Sequence, residues 1–194
     1  SLVQSAQGQS VTLASGNGIS RSGYTFAGWN TNLDGTGTTY AASSTLIPSG
    51  DLTLYALWSY TITYNGNGNT SDTNTVPNAV VRSTWKTSLE TGTGLLRTGY
   101  TFAGWNTRAD GSGTNFVAGL NPYTATGDIT LYAQWNSTIT YNGNNLTSAA
   151  GTVPAAVTTT GSASNTFNLP TAPTLLRTNY TLNGWNTRAD GSGT

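Results

Sequence analysis

The chain has 194 residues, with seven Lys and Arg against seven Asp and Glu, and no His, Cys or Met. Charged residues make up 7% of it, where about a quarter is usual, so no field steers it toward nucleic acid or inserts it against an anionic membrane. The missing imidazoles and thiols exclude His bases, thiolate nucleophiles, structural zinc and disulfides, which leaves carboxylates, hydroxyls and amides as the reactive groups.

Thr, Asn and Ser supply 77 residues. Thr with Tyr and Trp favours strands, and Gly, Asn, Asp and Ser favour the turns between them. This polar, uncharged, cysteine-free make-up suits a secreted surface protein. Ser1-Leu2-Val3-Gln4-Ser5 has neither the basic start nor the apolar core of a secretion signal. No stretch approaches the roughly eighteen apolar residues of a membrane span.

Along the chain, Val11-Thr12-Leu13 reads as a short strand. Tyr24, Phe26 and Gly28 then alternate with Thr25, Ala27 and Trp29, a second strand. The following Asn30-Thr31-Asn32-Leu33-Asp34-Gly35 matches the opening half of a calcium loop, but no Glu stands at its twelfth position. Asp34-Gly35 is therefore read as a hairpin turn, and no metal is expected. Leu54, Ala56 and Trp58 alternate with Thr53, Tyr55 and Leu57, and Tyr60, Ile62 and Tyr64 alternate with Thr61 and Thr63 before the turn signal Asn65-Gly66. Lys86 and Glu90 stand four apart, as in a helical turn, but the aligned residues Ser10 to Ala14 and Thr166 to Pro170 argue for a strand.

These elements recur. Gly23 to Thr31 reads Gly-Tyr-Thr-Phe-Ala-Gly-Trp-Asn-Thr, returns unchanged at Gly99 to Thr107, and returns with variation at Asn179 to Thr187. Leu54-Tyr55-Ala56-Leu57-Trp58 returns as Leu131-Tyr132-Ala133-Gln134-Trp135, and Thr61 to Asn67 returns at Thr138 to Asn144, both 77 residues on. Blocks repeated in one order mean one structural unit copied in tandem. The expected units are 1–58, lacking the opening strand, 59–135, complete, and 136–194, lacking the closing strand. Such a chain reads as a window from a longer array, and the incomplete end units would be completed by chain continuation or by strands from other copies in a filament.

The order Thr-Ile-Thr-Tyr-Asn-Gly-Asn-Gly, Val76-Pro77, Leu96 to Thr107 and Leu131 to Trp135 resembles the Listeria–Bacteroides repeat, also called the internalin B-repeat. The resemblance covers essentially the whole chain. It implies a mostly β module of small β-grasp-like (ubiquitin-like) type, carried in tandem by secreted or wall-attached bacterial surface proteins as stalk or adhesin segments. Segments 78–95 and 155–174 are longer and richer in Thr and Ser than the family pattern. The motif marks packing and turns, so it carries over no catalytic residue.

With no disulfides and few large aliphatic residues, the core falls to the rings: Tyr24, Phe26, Trp29, Trp58, Tyr100, Phe102, Trp105, Trp135, Tyr180 and Trp185. The alternative is a sugar-stacking face. Tyr40, Trp85 and Tyr123 recur less regularly and are the candidates for exposed contacts. Asp72, Glu90, Asp110 and Asp128 are the carboxylates of the middle unit, and Asp51 and Asp128 suit strand starts, where a short acceptor bonds backbone. Arg21, Arg97 and Arg177 align beside tyrosines, and a cation resting on a ring is favoured over a polyanion site. The expected function is a non-catalytic stalk or filament body without cofactor, whose partners are neighbouring repeats and other copies. The alternative is a module binding a glycan or a host protein through exposed rings.

Overall fold

A single Ser59, with no Gly, Asn, Asp or Pro beside it, separates Trp58 from Tyr60, and the even-numbered apolar positions run on through Ile62 and Tyr64. A chain with that alternation has no reason to bend. In the computed structural model, which describes residues 8–70, 76–145, 152–160, 168–171, 175 and 177–194, the two blocks read from sequence as separate short strands form one. Among the described residues the strands are β1 (Val11–Thr12), β2 (Thr25–Asn30), β3 (Thr39–Tyr40), β4 (Thr45–Leu46), β5 (Tyr55–Asn65), β6 (Val80–Arg82), β7 (Lys86–Thr87), β8 (Thr101–Asn106), β9 (Asn115–Phe116), β10 (Tyr123–Thr124), β11 (Ile129–Ile139) and β12 (Val157–Thr160). No helix occurs among the described residues. The chain is mostly β.

The two long strands β5 and β11, 11 residues each, organise the molecule. Residues 55–59 of β5 pair antiparallel with β2, and residues 60–62 pair antiparallel with β6. Further along, Ile62 to Asn65 pair parallel with Ile129 to Tyr132 of β11. That strand then pairs antiparallel with β8 and, from Asn136 to Ile139, with β12. The boundary expected at 58/59 thus lies inside a strand, and one eight-stranded sheet runs through it. Within the middle unit the order across the sheet is β6, β5, β11, β8, β9, with the first and last strands side by side at its centre.

A second, thinner layer covers the sheet. β7 pairs with β10, and in the first unit β1 pairs with β4, each a two-stranded ribbon. The Lys86–Glu90 stretch is therefore extended at its start, with Leu89 2% exposed beneath it. Between the layers of the middle unit lie Tyr60, Ile62, Tyr64, Leu89, Leu95, Trp105, Tyr123, Leu131, Ala133 and Trp135. Phe102 packs edge-on against both Trp105 and Trp135, at 5.1 and 5.7 Å between centroids.

The repeated Gly of Gly-Tyr-Thr-Phe-Ala-Gly-Trp has a structural cause. Register shifts beside Gly28, where it faces Leu57, and again opposite Gly104, between Gln134 and Trp135. Gly28 and Gly104 have φ of 123° and 122°. A Cβ on either would stand 2.5 Å from Tyr40 O or 2.7 Å from Phe116 O. Only glycine fits a bulge so close to its neighbouring strand.

Candidate functional site

The loop that resembles half a calcium site is built around a buried amide. Asn30 and Asn106 are 0% exposed at the ends of β2 and β8. Asn30 Oδ1 accepts from the N–H groups of Asn32 (2.8 Å) and Gly37 (3.0 Å), while its Nδ2 donates to Gly37 O and Thr39 Oγ1. Asn106 repeats this with Arg108, Gly113, Gly111 and Asn115, and Asn186 with Arg188, Gly193 and Gly191. The oxygen that would ligate a cation is spent on backbone N–H groups. The sequence marks Asn30 only as the first position of a calcium-like loop and does not single out Asn106 or Asn186, although the Trp-Asn-Thr step, its Asn seven residues before a Gly, is a signal common to all three.

The Asp of each loop closes the turn beyond. The hydroxyl and N–H of Thr36 both bond Asp34, holding its carboxyl below the usual carboxylate range. Ser112 and Ser192, N–H and hydroxyl together, do the same to Asp110 and Asp190. Among the described residues no three His, Cys, Asp or Glu are grouped as a metal site would require. Asp72 lies outside the described residues, as does Phe167 of the third aligned strand.

The rings divide unevenly. Trp105 and Trp135 are each 1% exposed, whereas Tyr24, Phe26, Trp29, Trp58, Phe102 and Trp185 are half-buried, as is Tyr40. Three indoles bond backbone 15 residues upstream by one rule: Trp29 of β2 donates to Ala14 O, Trp105 of β8 to Glu90 O and Trp185 to Pro170 O, at 2.8, 2.7 and 3.0 Å. Tyr100 and Tyr180, expected in the core, are exposed by 40% and 66%. They sit in turns outside the sheet, where Arg97 and Arg177 cover one ring face at 4.1 Å each. Tyr123, expected to be an exposed contact, is buried because its ribbon strand turns it edge-on to Phe116 at 5.5 Å. Trp85 is exposed.

The counterpart Tyr24, under Arg21 at 3.9 Å, shows what such a turn can hold. Its hydroxyl donates to Ala125 O of the next unit at 3.0 Å, and its ring meets Tyr60 edge-on at 6.0 Å. Beside it, Asp128 N–H donates to Gly23 O at 2.8 Å, and Asp128 Oδ1 accepts from Thr61 N–H at 2.7 Å. Asp128 does bond backbone, but in the neighbouring strand β5 and not at its own. Gly23, Tyr24, Thr61, Ala125 and Asp128 therefore clamp the first unit to the second around the strand they share.

The Listeria–Bacteroides repeat domain model matches residues 3–57, 60–134 and 138–194. The chain belongs to that family. Among relatives, a protein of Evansella cellulosilytica described as a Gly-rich membrane protein is 38% identical over 138 residues, covering 67% of this chain and 16% of the relative. Internalin H of Listeria monocytogenes is 34% identical over 119 residues, covering 59% of this chain and 20% of the relative. The chain thus spans a fifth or less of the relatives it matches. No solved structure matches it significantly.

In this Listeria–Bacteroides repeat chain the motif residues are accounted for by packing and turns: the Gly by the bulge, the Trp by core and crossover, the Asn and Asp by the loop. The repeat occurs in membrane- and surface-type bacterial proteins. Among the described residues no helix is long and apolar enough to cross a membrane.

Proposed function

We propose that the chain is a non-catalytic structural segment of a long bacterial extracellular surface protein, serving as an adhesin stalk or as the body of a filament. The observation that carries this reading is the strand shared between units. β5 closes one repeat and opens the next without a linker, over about 36 Å at the usual rise per residue. Bending at the joint would break the β5 pairings with β2 or β11 together with the Tyr24 and Asp128 bonds, so load passes from unit to unit through a hydrogen-bonded sheet. A β-grasp-like module is supported by the parallel central pair β5 and β11, with an extended crossover in the place where a helix would lie. The partners are then the neighbouring repeats and, for a filament, other copies of the chain.

Inserting Gly-Gly-Ser between Trp58 and Ser59 tests the stalk. Small-angle scattering of the unaltered chain should give one narrow inter-unit distance distribution, and the insertion should broaden it. Equal breadth in both proteins overturns the reading. Sedimentation over a wide concentration range separates the two forms of the proposal, since a filament body self-associates and a stalk does not.

A further inference from the structure

An open cleft of about 360 Å³ lies where the first unit meets the second, lined by Thr31, Asn32, Leu33, Asp34, Tyr55 and Trp85. Trp85 comes from the second unit, immediately before β7, and the others from the first. Trp85 is 45% exposed and Tyr55 38%, while the other five tryptophans are at least half-buried. The mounting is firm: Trp85 O accepts from Ala125 N–H at 3.4 Å, and Gly35 packs toward Ser83 O.

The cleft offers open acceptors on Asp34 and Asn32 and open donors on the Trp85 indole and the Tyr55 hydroxyl. Thr36 engages one oxygen of the ionised Asp34, and the other makes no hydrogen bond among the described residues. Asn32 spends one side-chain N–H on Thr36 Oγ1, leaving the other N–H and its Oδ1 open. Among the described residues no Lys or Arg lines the cleft. Two exposed aromatic residues beside open acceptors and donors call for a ligand with an apolar face and several hydroxyls, which both donate and accept. A Pro-rich peptide also stacks on rings but presents carbonyl acceptors, and anionic polymers would face an unpaired carboxylate.

We infer that the Trp85–Tyr55–Asp34 cleft is a binding site for a neutral saccharide, one pyranose stacking on the rings and donating hydroxyls to Asp34 and Asn32. It is a site of binding without turnover, because glycoside hydrolysis needs a second carboxylate and the lining holds one. The inference is independent of the stalk reading. The chain contains its own comparison: the repeat alignment puts Arg108, Ala109 and Asn165 where the cleft has Asn32, Leu33 and Trp85.

The test is titration of the full chain with cellohexaose, maltohexaose, laminarihexaose, mannohexaose and N-acetylchitopentaose, followed by tryptophan fluorescence and calorimetry. At least one should saturate, Trp85→Ala should weaken it at least about tenfold, and Trp85→Phe should retain part of the affinity. Far-UV circular dichroism of Trp85→Ala should be unchanged, since the ring is exposed. Polygalacturonate should not bind. Absence of saturation by every neutral saccharide overturns the inference, as does binding that Trp85→Ala leaves intact. Trp85-dependent binding of a proline decapeptide with no saccharide binding reassigns the cleft and refutes it as well.

Discussion

Substituting Gly127 by Ala should loosen the joint while leaving every side chain of the core in place. Gly127 has φ +131°, a backbone conformation that L-residues avoid. A Cβ there would stand 2.8 Å from Gly23 O, 3.2 Å from Gly23 Cα and 3.3 Å from Gly23 C, all backbone of the first unit. Backbone cannot swing aside as a side chain does, so the turn carrying Gly23 and Tyr24 must withdraw. Local strain of about 1–3 kcal/mol and overpacking of similar size set the loss at roughly 2–4 kcal/mol, allowing for partial relief as the joint opens. Gly50 is the aligned residue of the first unit, with no atom within 4 Å of its Cβ position, so Gly50→Ala should change stability by less than about 0.5 kcal/mol. Urea unfolding followed by tryptophan fluorescence measures both. Tyr24→Phe separates joint from strain: alone it removes the bond to Ala125 O and should cost about 0.5–1.5 kcal/mol, but close to nothing in the Gly127→Ala background. Equal losses for Gly127→Ala and Gly50→Ala would falsify the packing argument, and an undiminished Tyr24→Phe loss in the double variant would refute the clamp.

Asn106→Ala strands two N–H groups and two acceptors around a fully buried position and should cost about 2–4 kcal/mol by urea unfolding, against less than about 1 for the exposed Asn186. Tyr64→Phe leaves the Glu90 N–H without its acceptor at 3.0 Å and should cost about 1–2 kcal/mol by the same measurement. The pH profile of the melting temperature should be flat from about 5 to about 9, since no side chain of this His- and Cys-free chain ordinarily titrates there. Below it, Asp34, Asp110 and Asp190 have folded pKa values depressed by hydrogen bonds. The stability they contribute is present above the unfolded value near 3.9 and lost as pH falls through the folded one. Above it, Tyr60, Tyr64 and Tyr123 are raised by burial, so their contribution is full below about 10 and lost as pH rises through the folded values. A transition near pH 6 to 7 would contradict the assignment.

Tandem organisation, β class and family were legible because they rest on patterns that survive in one dimension: blocks in fixed order, period-two alternation and turn residues. Trp105 and Trp135 were readable as core since nothing else large was available to fill it. Tyr100, Tyr180 and Tyr123 were not, because a tyrosine is buried or exposed according to what packs over it, and that is settled by a ribbon or a neighbouring unit far away in sequence. The Arg-x-x-Tyr step does not itself show that Tyr24 bonds Ala125 O across the joint, a residue 101 positions on. The continuity of β5 could be inferred from the missing turn at Ser59, but its parallel pairing with β11 joins residues 67 apart, such as Ile62 and Ile129. No local preference encodes such a pairing. The cleft between Asp34, Tyr55 and Trp85 is likewise assembled by two units, and its lining existed in the sequence only as unrelated residues until the shared strand set the units against each other.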